Sequence, residues 1–175
     1  MGNFEWPWQY NFPPFFTLQP NLETRKKQVD GWCDLVLLFA QHHKLYQLDV
    51  KESSSNPPFS NPQINRKLPL EGVYTVLEEL RTRGNIEWTD KGKSRCLVMW
   101  RTPAEWGNLM YTWALKNGLL NTVCTLFEIT QGDDSKSEDF HGIEDWLLKR
   151  SLELLQKDRK AELISFDGNE GVKFF

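Results

Sequence analysis

The sequence carries one unit twice. "VLEELRTRGNIEW" with "CLVMW" superimposes on "SLELLQKDRKAEL" with "GVKFF" at a shift of 75 residues and no gap: Leu77 falls on Leu152, Leu80 on Leu155, Glu87 on Glu162 and Trp100 on Phe175. Upstream of each copy lies an apolar stripe, Trp32, Leu35, Val36 and Phe39 in the first and Trp106, Leu109, Met110 and Trp113 in the second, offset by 74. Both stripes have the i, i+3, i+4, i+7 spacing of one buried helix face. A helix stripe and a hairpin that repeat together point to internal duplication, and so to two small cores rather than one large one.

Within the first copy the expected order is a helix over 21–43, a short strand over 45–50 and a Ser/Asn/Pro loop. A helix over 70–83 follows, stopped by Gly84 and Asn85, and then a hairpin, "NIEW" and "CLVMW", with the basic tip "TDKGKSR". Thr102, Pro103 and Glu105 then supply an N-cap, a first-turn proline and a capping-box acid, which starts a new helix and sets a boundary near Arg101. In the second copy "TVCTLFEIT" is ambiguous between strand and helix, and "QGDDSKSED" is an acidic loop. A helix over 143–160 and the hairpin "ELISF", "DGNE", "GVKFF" close the chain. Helix, strand, helix and terminal hairpin is the order of a winged helix, the hairpin loop being the wing. The expected fold is therefore α+β and mainly helical: an extended aromatic and proline arm (1–20), a first winged-helix domain (21–101) and a second (102–175). A helical bundle with incidental hairpins is the competing reading.

Little in the chain suggests catalysis. "GKS" at Gly92 to Ser94 lacks the glycine a phosphate-binding loop needs five positions earlier, where Glu87 stands, and it leads into a strand rather than a helix. Cys33, Cys96 and Cys124 have no metal or disulfide spacing, and His141 has no convergent ligands. The expectation is a non-enzyme with no cofactor and no metal. It should reside in the cytosol, because no stretch approaches the ~20 apolar residues of a membrane span. With 21 basic and 24 acidic residues the net charge is −3, which attracts no polyanion globally. A nucleic-acid regulator is the alternative function, with Lys91, Lys93 and Arg95 as its basic wing. Against it, Glu71, Glu78 and Glu79 lie on the first candidate recognition helix, and Asp167 and Glu170 on the second wing. The charges favour protein partners.

The arm, "FEWPWQYNFPPFF", puts seven aromatic rings into thirteen residues. Phe4, Trp6, Trp8, Tyr10 and Phe12 alternate, so an extended strand would set all five on one side and strap them to the first domain. Phe15 and Phe16, after Pro13 and Pro14, break the alternation. The expectation is that at least one of them stands out as an anchor for a partner. A second Pro-Pro-Phe, at Pro57 to Phe59, lacks the aromatic lead-in and is set aside.

The arm, together with "RKLP", "VLEELR", "PAEWG" and the terminal "GVKFF", closely resembles the vacuolar protein sorting-associated protein 25 family, the small subunit of the ESCRT-II endosomal sorting complex. The resemblance spans Phe4 to Phe175. It implies two tandem winged helices and a complex holding two copies of this subunit, one on each larger subunit. It also implies docking of Pro13, Pro14, Phe15 and Phe16 into those subunits, and recruitment of the initiating ESCRT-III subunit by the second winged helix. The process implied is the sorting of ubiquitinated membrane proteins into multivesicular bodies, with the protein on endosomal membranes only through its complex. The resemblance does not specify the second contact surface; Phe127 and the acidic loop with Asp133 and Asp134 are the candidates.

Overall fold

Two helices of each repeat pack their stripes against one another and against a three-stranded sheet, and this happens twice. The structure, a computed structural model, describes residues 2–175 and divides into two units, the first ending at Trp100 and the second beginning at Arg101. In the first, α1 (Leu22–His43) starts where the Asn21 side chain accepts from the Thr24 N–H at 3.0 Å, and ends at Lys44 in the left-handed conformation. It buries Trp32, Cys33, Leu35, Val36 and Ala40. After β1 (Gln47–Asp49), α2 (Val50–Ser54), β2 (Ser60–Asn61) and β3 (Arg66–Lys67), α3 (Leu70–Thr82) buries Val73, Val76, Leu77 and Leu80. The wing is the hairpin of β4 (Ile86–Trp88) and β5 (Arg95–Val98), and the antiparallel sheet runs β1-β5-β4.

The second unit repeats the plan with α4 (Pro103–Lys116), β6 (Val123–Thr125), α5 (Leu126–Gln131), α6 (Asp145–Lys157), β7 (Ala161–Phe166) and β8 (Asn169–Phe174). Its sheet order, β6-β8-β7, is the same as the first. The capping box at the start of α4 is formed in both directions: Thr102 Oγ1 accepts from Glu105 N–H, and Glu105 Oε1 from Thr102 N–H, each at 3.3 Å. Gly107 lets α4 lie close to α6, since a Cβ there would sit 3.1 Å from the Ser151 carbonyl oxygen. The last hairpin turns on Asp167 and Gly168, both at positive φ, as a two-residue turn matched to the strand twist requires. The chain is thus two tandem winged-helix domains.

Three details depart from the sequence reading. α2 takes the last residue of the expected strand and the first four of the expected loop, nucleated by Asp49, whose Oδ1 accepts from Glu52 N–H at 3.1 Å, and pinned by the buried Val50. "TVCTLFEIT" is both alternatives in turn, β6 and then α5, with Thr125 capping the helix through Glu128 N–H at 3.0 Å. The arm is not an extended strand from Trp8 onward. It folds into two single 3-10 turns, Trp8–Asn11 and Pro13–Phe16. Proline denies a helix interior, but its fixed φ suits a first turn, and Pro13 and Pro14 occupy those positions.

Candidate functional site: the aromatic arm and the two wings

The turns exchange the expected roles of four of the arm's rings, while Phe4, Trp6 and Tyr10 stay packed on one another and on α1. Phe15 and Phe16 are 4% and 1% exposed, so neither stands out for a partner. Phe15 stacks on Trp32 of α1 with centroids 4.4 Å apart and planes 6° from parallel, and Phe16 meets the same indole edge-on at 5.2 Å. Phe59, from the Pro-Pro-Phe set aside above, approaches Trp32 at 5.9 Å and is fully buried. Trp32 Nε1 donates to the Phe15 carbonyl at 3.0 Å. One tryptophan therefore gathers the phenylalanines of both motifs into the core of the first domain.

Polar staples hold the rest of the arm. Tyr10 OH donates to the Ser60 carbonyl at 2.8 Å, and Asn61 Nδ2 donates back to the Tyr10 carbonyl at 2.7 Å. Gln28 of α1 donates to the carbonyls of Pro14 and Thr17, and its Oε1 accepts from Gln19 N–H at 2.8 Å. Trp6 stacks on Tyr10 at 3.8 Å and also lies 5.7 Å from Phe39. Trp6 keeps 36% of its surface exposed, and the rings left furthest outside are Trp8, 69% exposed, and Phe12, 47% exposed, paired with each other at 5.5 Å and followed by the exposed Pro14. Exposed aromatics held on a fixed backbone lose little entropy on binding, which is the condition for an anchor.

The wings bear on the nucleic-acid alternative. Lys93 Nζ, at the first wing, donates to Glu78 Oε1 of α3 at 2.6 Å, and Arg95 lies 3.4 Å from Asp49. Arg81 pairs with Glu78 at 2.8 Å, and Arg83 with Asp30 and Glu79. The Lys93 hydrogen bond, then that of Arg81, pulls the Glu78 carboxyl down to about 2. In the second domain the wing is tied the opposite way round, Lys149 of α6 to Glu170 of β8 at 3.0 Å. Of the three wing cations named from the sequence, two are committed to acids of their own domain.

On the second domain Phe127, 69% exposed, lines an open concavity of about 410 Å³ with Thr125, Thr130, Lys149 and Glu170. Asp133 and Asp134 are not part of it. They form a separate 3-10 turn in which Asp133 pairs with Lys136 at 3.0 Å, and the Asp134 carbonyl accepts from Trp113 Nε1 at 3.2 Å. The structure thus separates residues that the sequence reading grouped.

A family model described as ESCRT-II complex subunit matches residues 9–144. Among curated relatives, vacuolar protein-sorting-associated protein 25 of Danio rerio is 60% identical over 173 residues, covering 99% of both chains. The chain belongs to the ESCRT-II vacuolar protein-sorting-associated protein 25 family. The Homo sapiens member of the family is 53% identical across 99% of this chain and 98% of its own. Among solved structures, a family member described as subunit VPS25 of the endosomal trafficking complex ESCRT-II superposes with a TM-score of 0.83 at 23% identity, over 97% of this chain and 98% of that one. A chain from a structure of the ESCRT-II endosomal trafficking complex gives 0.80 at 25%, over 96% and 98%. Among the described residues no helix is long and apolar enough to cross a membrane, and Cys33, Cys96 and Cys124 are buried thiols, Cys33 and Cys96 pushed up to about 12 by burial.

Proposed function

We propose that this chain is a non-catalytic adaptor of ESCRT-II. Its arm docks onto the two larger subunits, one copy on each, and its second winged helix holds the initiating ESCRT-III subunit while ubiquitinated membrane proteins are sorted into multivesicular bodies. The observation that carries the reading is the exposed pair Trp8 and Phe12 on an arm stapled to α1. Related chains have been solved in the VPS22/VPS25/VPS36 complex, which supplies the partner class. In this reading Pro13, Pro14, Phe15 and Phe16 serve the interface as its frame: Phe15 and Phe16 fix the turn from inside, and Pro14 lies beside the two rings that meet the partner. Phe127 and the concavity beside it form the second surface, and it works without Asp133 and Asp134.

Co-expression with the larger subunits tests both surfaces. Trp8→Ser/Phe12→Ser is expected to lose the larger subunits while the chain stays folded, and Phe127→Ser to keep them but lose the ESCRT-III subunit. Full retention of the larger subunits by the arm variant would refute the docking assignment.

A further inference from the structure

The first wing and α3 aim three donors at one point. Lys93 Nζ and Trp88 Nε1 donate to Glu78 Oε1 at 2.6 and 2.9 Å, and Arg81 Nε donates to Glu78 Oε2 at 2.8 Å. Tyr74 OH fixes the wing by donating to the Lys93 carbonyl at 2.9 Å, and the Lys93 ammonium lies 5.9 Å from the centre of the Trp88 ring. Two cations and an indole N–H converging from a helix and a wing form the donor set that binds a backbone phosphate. Here a carboxylate of the same helix fills it.

We infer that Glu78 occupies in cis an anion site between α3 and the first wing, and so keeps this winged helix off the phosphate backbone of a nucleic-acid duplex. The duplicated domain gives an internal comparison. Its wing is tied by a pair of reversed polarity, cation on α6 and acid on β8, and its tip carries Asp167, so it has no equivalent site to cover. Only the first copy combines a cationic wing with a helix that could read phosphate, and there the cation is covered. The surrounding charges do not replace Glu78 in this role: Asp49 answers Arg95, Asp30 and Glu79 answer Arg83, and Asp90 is engaged with Ser94 within the turn. Glu71 lies further toward the start of α3, and Lys91 stays exposed at the wing tip.

Fluorescence anisotropy with a labelled DNA duplex tests the inference on the full chain. Glu78→Ala frees two cations, so binding should tighten about tenfold over wild type near 50 mM salt, with the slope of log affinity on log salt steeper by about 2. Adding Lys93→Ala to that variant should remove about half of the gain in slope, and adding Arg81→Ala as well should abolish it. Glu78→Gln, which keeps the side-chain volume and removes the charge, should shift affinity in the same direction even where alanine loosens the wing. Equal duplex affinity for wild type and both Glu78 variants would overturn the inference. So would a gain undiminished by removing both Lys93 and Arg81, or one seen with anionic lipid vesicles and not with duplex.

Discussion

Replacing Phe16 by alanine separates a core residue from a presented anchor. The ring is 1% exposed, lies edge-on to Trp32 at 5.2 Å, and is bordered by Tyr10 at 6.0 Å and Phe15 at 6.1 Å. Deleting a buried phenylalanine ring of this kind costs about 3–5 kcal/mol, the lost burial and the cavity together. Trp32 cannot swing to fill the space without giving up its 3.0 Å hydrogen bond to the Phe15 carbonyl and its stack on Phe15. In a domain of this size each kcal/mol is about 4–8 °C in melting temperature, so the first domain should melt more than roughly 10 °C lower. Trp8→Ala, which removes a mostly exposed ring, should stay within about 1 kcal/mol of wild type. Urea unfolding of the isolated full-length chain, followed by tryptophan fluorescence, reads both. If Phe16→Ala unfolded at the wild-type midpoint, the ring would not be in the core, and the division of the arm into buried frame and exposed pair would fall.

Other expectations are smaller and local. Thr102→Ala removes one half of the capping box of α4 and should cost about 1 kcal/mol, measured by denaturant unfolding of the second domain. Gly72→Ala would set a Cβ 2.8 Å from Leu68 Cδ1 in a fully buried site, so a loss of about 1–3 kcal/mol is expected. Glu78 titrates near 2 in the folded chain, below its ordinary value of 4.5, so its pairing with Lys93 and Arg81 stabilises fully above pH 4.5 and is lost as pH falls through about 2. The Trp88 indole N–H, which donates to Glu78 Oε1, should therefore hold its resonance position through pH 4.5 and shift with a midpoint near 2; a shift centred near pH 4.5 would contradict the pairing.

What was legible in the sequence was local or periodic. The stripes of α1 and α4, the cap at Thr102 and the stop at Gly84 are written in neighbouring residues, and the 75-residue repeat displayed the same topology twice. α2 escaped because five residues carry no period; it rests on one cap at Asp49 and one buried valine. Alternation at every second position in the arm suits a strand, whereas Pro7 ahead of one tight turn and Pro13 and Pro14 at the start of the next suit turns just as well. In the folded arm Trp6 with Tyr10, and Trp8 with Phe12, pair four residues apart. The factor that decided between strand and turn was Trp32, sixteen residues beyond Phe16 and an ordinary member of a helix stripe until its neighbours are seen. The wing ion pairs were equally hidden, since Glu78 and Lys93 are fifteen residues apart and only the hairpin brings them together.

Which rings of the arm meet the larger subunits decides between an exposed anchor pair and a buried frame. Hydroxyl-radical footprinting of the free chain and of the assembled complex, with oxidation read at each aromatic residue by mass spectrometry, addresses this directly. Trp8 and Phe12 should be oxidised readily in the free chain and protected in the complex, while Phe15 and Phe16 should be protected in both. Strong oxidation of Phe15 and Phe16 in the free chain, or undiminished oxidation of Trp8 and Phe12 in the complex, would contradict this assignment.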